Sequence, residues 1–263
     1  MSRLHLTFAC GSSTLAGTLD TAPTKAGLLL VSGGNEIRSG AFNGQAALAA
    51  TIATAGFPVF RFDRRGIGDS EGDNRGFEKS EKDIRAAIEA FRAIAPTVEK
   101  VVALGNCDAA SALMLAGGAG CDALVLSNPW TIEQSGNDLR EEAAPASAIR
   151  ARYLAKLSNP REVVRLLTGG VDLRKLARGL RKAGSGKEAP SGLAGRMREG
   201  LEAFEGEVRF LVADEDRTAQ IFLESWDPAD NRIRRCKGAS HAFVETHAGE
   251  WYRDQILATL RSV

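Results

Sequence analysis

The sequence predicts an α/β fold, with a mostly parallel sheet covered by helices on both faces. Three observations predict it. Short apolar runs alternate with helix-length segments along most of the 263 residues. The runs are continuous rather than alternating, the mark of strands buried on both faces. One of them, VVALG at 101–105, ends abruptly in Asn106-Cys107-Asp108-Ala109 and opens a helical pattern. Strands separated by helices of this length imply βαβ units.

Taken in order, residues 4–8 and 14–19 flank Cys10-Gly11-Ser12-Ser13 and predict an antiparallel hairpin at the sheet edge. Residues 26–31 (AGLLLV) form a buried strand that breaks at Ser32-Gly33-Gly34-Asn35. Helical spacing over 41–55 is stopped by Gly56-Phe57-Pro58, and 59–63 is the next strand. A helix over 77–94, a strand over 101–104, a helix over 109–116 and a strand over 123–126 follow. Beyond a break in this rhythm come strands at 208–213 and 233–236 and an amphipathic closing helix over 251–260.

The break, 131–205, reads as short helices joined by glycine-containing turns, so it predicts a helical cap inserted into a core of 1–130 and 206–263. Between Arg150 and Arg198 it carries thirteen Lys and Arg against three Asp and Glu. Two readings stand: a solvated face, or a lid whose basic side meets an anionic substrate, carrier or membrane surface. The segment 182–191 (KAGSGKEAPS) reads as a loop within it.

Composition bounds the rest. At 44% hydrophobic and 25% charged, with a formal net charge of +1, the chain is an ordinary globular sequence and nothing global points to nucleic acid. No segment approaches 18 apolar residues without charge, which predicts neither a cleaved signal nor a transmembrane span. Cys10, Cys107, Cys121 and Cys236 are scattered, without CxxC or His/Cys ligand spacing. The expectation is reduced thiols in a cytoplasmic protein, with no metal and no cofactor.

The chemistry converges on residue 107. A strand followed by small-x-nucleophile-x-small and a helix is the layout of a nucleophile elbow, with Gly105 and Ala109 as the small positions. A thiol takes the nucleophile's place. In such a layout the oxyanion is bound by the backbone N–H of the following residue, Asp108, and by one from the loop after the 26–31 strand, with Gly34 or Asn35 as the candidates. The acid is expected after a late strand: Asp216 is the first choice and Asp214 the competitor. The base is expected in a loop before the last helix, and His241 in GASHAF fits; His5 and His247 are read as structural or exposed. The histidine would take the thiol proton and the aspartate would fix its tautomer.

Further residues carry a resemblance. Phe62-Asp63-Arg64-Arg65-Gly66-Ile67-Gly68-Asp69-Ser70 resembles the F-D-x-R-G-x-G-x-S segment of α/β-hydrolases. Gly33-Gly34 with Arg38, that segment, Cys107-Asp108-Ala109-Ala110-Ser111-Ala112 and Asn128-Pro129-Trp130 together resemble a narrower group, the exosortase A system-associated hydrolase 1 proteins. The similarity spans nearly the whole chain and is most specific over 31–130. It implies an α/β-hydrolase fold, a hydrolase with a cysteine triad, and a connection to exopolysaccharide and exosortase systems. The expected reaction is hydrolysis of an ester or thioester through an acyl-enzyme on Cys107. The expected partner is a small-molecule or carrier-bound acyl substrate, an anionic one if the basic lid recognises it; peripheral contact with a membrane fits the same lid. Rival readings are acyl transfer by the same fold and a catalytically silent relative acting as a binding or assembly factor.

Overall fold

The computed structural model describes residues 2–133 and 192–263. Eight strands are described: β1 (Arg3–Cys10), β2 (Ser13–Asp20), β3 (Ala26–Val31), β4 (Val59–Phe62), β5 (Lys100–Asn106), β6 (Ala123–Ser127), β7 (Glu207–Ala213) and β8 (Ile233–Cys236). They form one sheet in the order β1-β2-β4-β3-β5-β6-β7-β8. β1 and β2 pair antiparallel, as does β2 with β4, and the remaining neighbours are parallel. The predicted hairpin and parallel core are both present, with β5 near the centre.

The central strands are buried on both faces, which is why their sequences read as unbroken apolar runs. Alternate residues supply two separate cores. Leu29, Val31, Val101, Ala103, Leu124 and Leu126 face one way, toward α2 (Glu81–Ile94) and α3 (Asp108–Leu115). Leu28, Leu30, Val102, Leu104, Ala123 and Val125 face the other way, toward α1 (Gly44–Thr54) and the C-terminal helix Thr246–Ser262. Helices α4 (Gly192–Glu202) and α5 (Arg217–Ser225) precede that last helix, α6.

Two expected helices are shorter at their starts. Residues Ala41–Asn43 form a 3-10 turn with positive φ at Phe42 (49°) and Asn43 (61°), so the α-helix begins only at Gly44. Residues Phe77–Lys79 form a second 3-10 turn, and Ser80 separates it from α2. Helix α5 has no counterpart in the expected elements. Most of the expected cap interval lies outside the described residues. Its described end, α4, buries Leu193, Ala194, Met197 and Leu201 in the α2/α3-side core.

Candidate active site

The elbow forms where the sequence predicts it. Cys107 joins the end of β5 to α3 with φ 60° and ψ −125°. Such a conformation costs a non-glycine residue on the order of 1–3 kcal/mol and persists only when its surroundings hold it. Here the Cys107 N–H donates to Ser127 O (2.9 Å), and its carbonyl accepts from Trp130 N (3.3 Å) and Ser111 N (3.3 Å). Gly105 is required by contact rather than conformation. A Cβ there would stand 2.7 Å from the carbonyl carbon of Ala109 and from Ala110 N. Strand and helix therefore approach too closely for any side chain at 105.

Asp216 and His241 meet as expected. His241 Nδ1 lies 3.0 Å from Asp216 Oδ1. Asp216 is buried, and its Oδ2 also accepts from Ala219 N (2.9 Å), so the same carboxylate caps α5. Asp214, its competitor, points away and pairs with Arg235 (2.8 Å). Hydrogen bonds to Asp216 and then to Cys107 raise His241 to about 10, against the opposing pull of burial. Burial pushes the Asp216 carboxyl up, but the bond from His241, its charge and the α5 backbone amides outweigh this and leave it lowered. His247 is bound to Lys237 O (3.0 Å) and His5 faces Thr18 Oγ1 (3.2 Å), both away from Cys107.

Two asparagines that sequence reasoning did not single out as site residues hold the histidine loop. Asn128, just after β6 and at φ 42°, donates from Nδ2 to His241 O (3.0 Å) and Asn106 Oδ1 (3.2 Å). Its Oδ1 accepts from Ala213 N at the end of β7 (2.9 Å). Asn106 Nδ2 adds a second bond to His241 O (3.3 Å). One amide thus ties three strand ends to the backbone of the base. A buried Asn directly before Pro129 at a strand end was the available signal.

The glycine loop after β3 turns tightly, with Glu36 N donating to Gly33 O (3.0 Å) and Gly34 at φ 55°. Asp108, first residue of α3, has a backbone N–H without an intrahelical acceptor, as the first turn of any helix does. Its side chain adds something the sequence did not reveal. Asp108 Oδ1 accepts from Gly34 N at 2.6 Å. The buried Arg64 stands behind this contact, donating to Gly34 O and Ser80 Oγ (3.1 Å), 3.8 Å from Asp108 Oδ2. Asn35 is exposed and accepts from Asn74 Nδ2 (2.9 Å).

The Phe62–Ser70 segment is scaffolding for that loop. Asp63, fully buried, accepts from Arg38 N (2.5 Å) and Asp69 N (3.1 Å) and pairs with the Arg38 guanidinium. A Cβ at Gly68 would fall 2.4 Å from Asp63 Oδ2, which explains the glycine.

A cavity of about 520 Å³ opens at Cys107 and His241, within the 300–1,000 Å³ span of small-ligand sites. Gly33, Gly34, Asn106 and Glu36 also line it. Cys107 is partly exposed, whereas Cys10, Cys121 and Cys236 are buried. Burial raises all three of these thiols, Cys121 to about 12.

The profile of the alpha/beta hydrolase family matches residues 28–255. The chain belongs to that family and is a hydrolase. Solved structures agree in fold. An esterase of Pyrococcus furiosus aligns with a TM-score of 0.63 at 13% identity, covering 99% of this chain and 90% of that one. The alpha/beta hydrolase GrgF from Penicillium sp. sh18 gives 0.64 at 16% identity, covering 100% and 99%. A serine hydrolase without a lid from Xanthomonas campestris gives 0.58 at 14%, covering 100% and 95%. A search of the curated proteins returned no match. Among the described residues no helix is long and apolar enough to cross a membrane.

Proposed function

We propose that the protein hydrolyses a carboxylic ester or thioester through an acyl-enzyme on Cys107. The observation that carries this reading is the convergence on one strained residue: a partly exposed thiol at the elbow, sharing one cavity with a histidine that lies 3.0 Å from a buried aspartate. In this reading His241 holds the proton taken from the thiol while sulfur attacks the acyl carbon, and passes it to the departing alcohol or thiol. Water then attacks the thioester of the acyl-enzyme, giving its proton to His241, which passes it to the released thiol. Asp216 holds Nδ1–H and so presents Nε2 to the sulfur. The Asp108 amide and the Gly34 amide bind the oxyanion, Gly34 being favoured over Asn35 because it lines the cavity. Gly34 becomes available once the Asp108 carboxylate swings from its amide toward Arg64.

The esterase-type neighbours support the ester class. The resemblance of residues 31–130 to the exosortase-associated hydrolases supports a substrate drawn from exopolysaccharide assembly. Brief incubation with an activated acetyl ester, acid quench and intact-mass measurement tests the reading. One acetyl group on Cys107, absent in Cys107→Ala, is expected. Turnover that survives Cys107→Ala, or an acyl group on any other residue, overturns it. Without turnover and with all four cysteines alkylated at equal rates, the silent binding-factor reading takes its place.

A further inference from the structure

The cavity at Cys107 does not run outward only; it also runs down into the molecule between α1 and α6. Gly44, Gln45 and Leu48 of α1 line it over one turn of the helix, with Ala41 of the preceding 3-10 turn beside them. Leu30 of β3 and Leu104 of β5 line it too, and both belong to the α1/α6-side core. Tyr252 of α6 forms another wall, stacked on Phe243 with ring centroids 4.5 Å apart and its hydroxyl 2.9 Å from Ser127 Oγ. The space exists because α1 is built from small residues: in GQAALAATIAT only Gln45, Leu48 and Ile52 carry side chains larger than threonine.

Its charge is equally one-sided. Among the described residues, Glu36 and His241 are the only titrating acid or base in the lining apart from the Cys107 thiol and Tyr252, and no Lys or Arg lines it. Gln45 closes the polar end, its Nε2 donating to Glu36 Oε2 (3.3 Å) while its Oε1 accepts from Ser32 Oγ (3.0 Å). Beside the lining residues Glu36, Ala41 and Phe243, the apolar side chains of Ile37, Phe42 and Val244 are exposed, Phe42 fully so. Apolar groups on this rim sit at the mouth of an apolar chamber.

We infer that this chamber takes the acyl group of the substrate, and that the group is uncharged and apolar. An anionic acyl tail would meet Glu36, and among the described residues the one cation in the lining, His241, is already paired with Asp216. The inference rests on Cys107 being the acyl acceptor. It places chain-length selection on α1, where Gly44 and Leu48 line the chamber. A Cβ on Gly44 meets nothing within 4 Å, and its φ of −59° is helical, so larger residues are tolerated there without strain.

Two series test it on the full chain. In the first, neutral esters with one leaving group and acyl chains from acetyl upward are compared with a half-ester of a dicarboxylic acid. Specificity should rise about fourfold per added methylene until the chamber fills, as burial of each CH2 dictates, and the anionic half-ester should fall far below its neutral counterpart. Gly44→Leu and Leu48→Trp should collapse the ratio of octanoyl to acetyl turnover by at least tenfold. In the second, N-alkyl iodoacetamides of increasing length alkylate Cys107, a reaction that needs no hydrolysis. The same length preference, lost in Gly44→Leu, is expected. Labelling indifferent to chain length, or variants that leave the octanoyl-to-acetyl ratio unchanged, overturns the chamber. Length-dependent labelling without ester turnover upholds the chamber and overturns the hydrolytic reading instead. Leu48→Trp and Gly44→Leu lie on different turns, so a folding failure in one leaves the other to decide.

Discussion

On one side of Cys107, His241 sits 3.0 Å from Asp216, and its backbone is pinned by Asn106 and Asn128. On the other side, the Gly34 amide that would bind an oxyanion is engaged by the Asp108 carboxylate at 2.6 Å. The first arm is complete as it stands. The second is closed by the residue that follows the nucleophile position. In the proposed reaction, proton transfer is preorganised, whereas oxyanion binding waits on the movement of one side chain. Each arm can be broken separately.

The largest effect should come from Cys107→Ala and His241→Ala, each costing on the order of 10⁶ in kcat if the group acts as a unit, as paired nucleophile and base do. Single-turnover measurements should show no acyl-enzyme in either. Asp216→Asn should cost about 10⁴ in turnover by loss of the tautomer. Asp214→Asn, which removes only a surface pair with Arg235, should change the rate little. The pH profile sharpens the distinction. Asp216 is the largest cause of the rise that takes His241 to about 10, so His241 stays protonatable up to that pH. Above it the imidazolium that protonates the leaving group is lost and the rate falls. Asp216→Asn removes the main cause of the rise, so the alkaline limb should move to lower pH; a limb that stays put assigns it to another group.

Much of the first arm was legible in the sequence, because it depends on chain order. A thiol after a buried strand, an acid after a later strand and a histidine before the last helix are positions that a linear pattern can hold. The sheet was legible for a related reason: strands buried on both faces cannot disguise their continuous apolar runs. The second arm was not. That Asp108 folds back onto Gly34 depends on Arg64, 44 positions earlier, and on a 2.8 Å approach between Asp108 Oδ1 and the place a Gly33 Cβ would occupy. Likewise, Asn128 acts through partners at 106, 213 and 241, a convergence that exists only once β5, β6 and β7 lie side by side. The chamber was hidden for the opposite reason. The alanine-rich spacing of 41–55 reads simply as helix, and small side chains announce propensity rather than the space they leave.

Asn128→Ala breaks the first arm indirectly. It leaves the buried Ala213 N–H unpaired and removes one of two bonds to His241 O. The orphaned donor should cost about 1–3 kcal/mol of stability. Loosening the base by a fraction of an ångström should lower kcat by about 10- to 100-fold, with KM little changed. A loss confined to thermal stability, with kcat intact, would mean that Asn106 alone suffices to hold the histidine.

The smallest effect, and the one that bears most directly on the closed arm, is expected at Asp108. In the proposed reaction its carboxylate does two opposed things: it anchors Gly34 and with it the glycine turn, and it places a negative charge beside the amides that would bind the oxyanion. Arg64, itself lowered by burial and only 3.8 Å from Asp108 Oδ2, offsets part of that charge and offers the carboxylate a second resting place. If closure is the dominant role, Asp108→Ala should release the Gly34 amide and raise kcat by up to about tenfold, a modest part of the 10²–10³ that a single oxyanion donor supplies elsewhere. Asp108→Asn should fall between the two, since an amide oxygen can still accept from Gly34 but carries no charge. If anchoring dominates, Asp108→Ala should lower kcat and Asp108→Asn should restore it. Presteady-state acylation rates for the three proteins, measured with one activated ester, give opposite orders under the two roles and so determine which role the carboxylate plays.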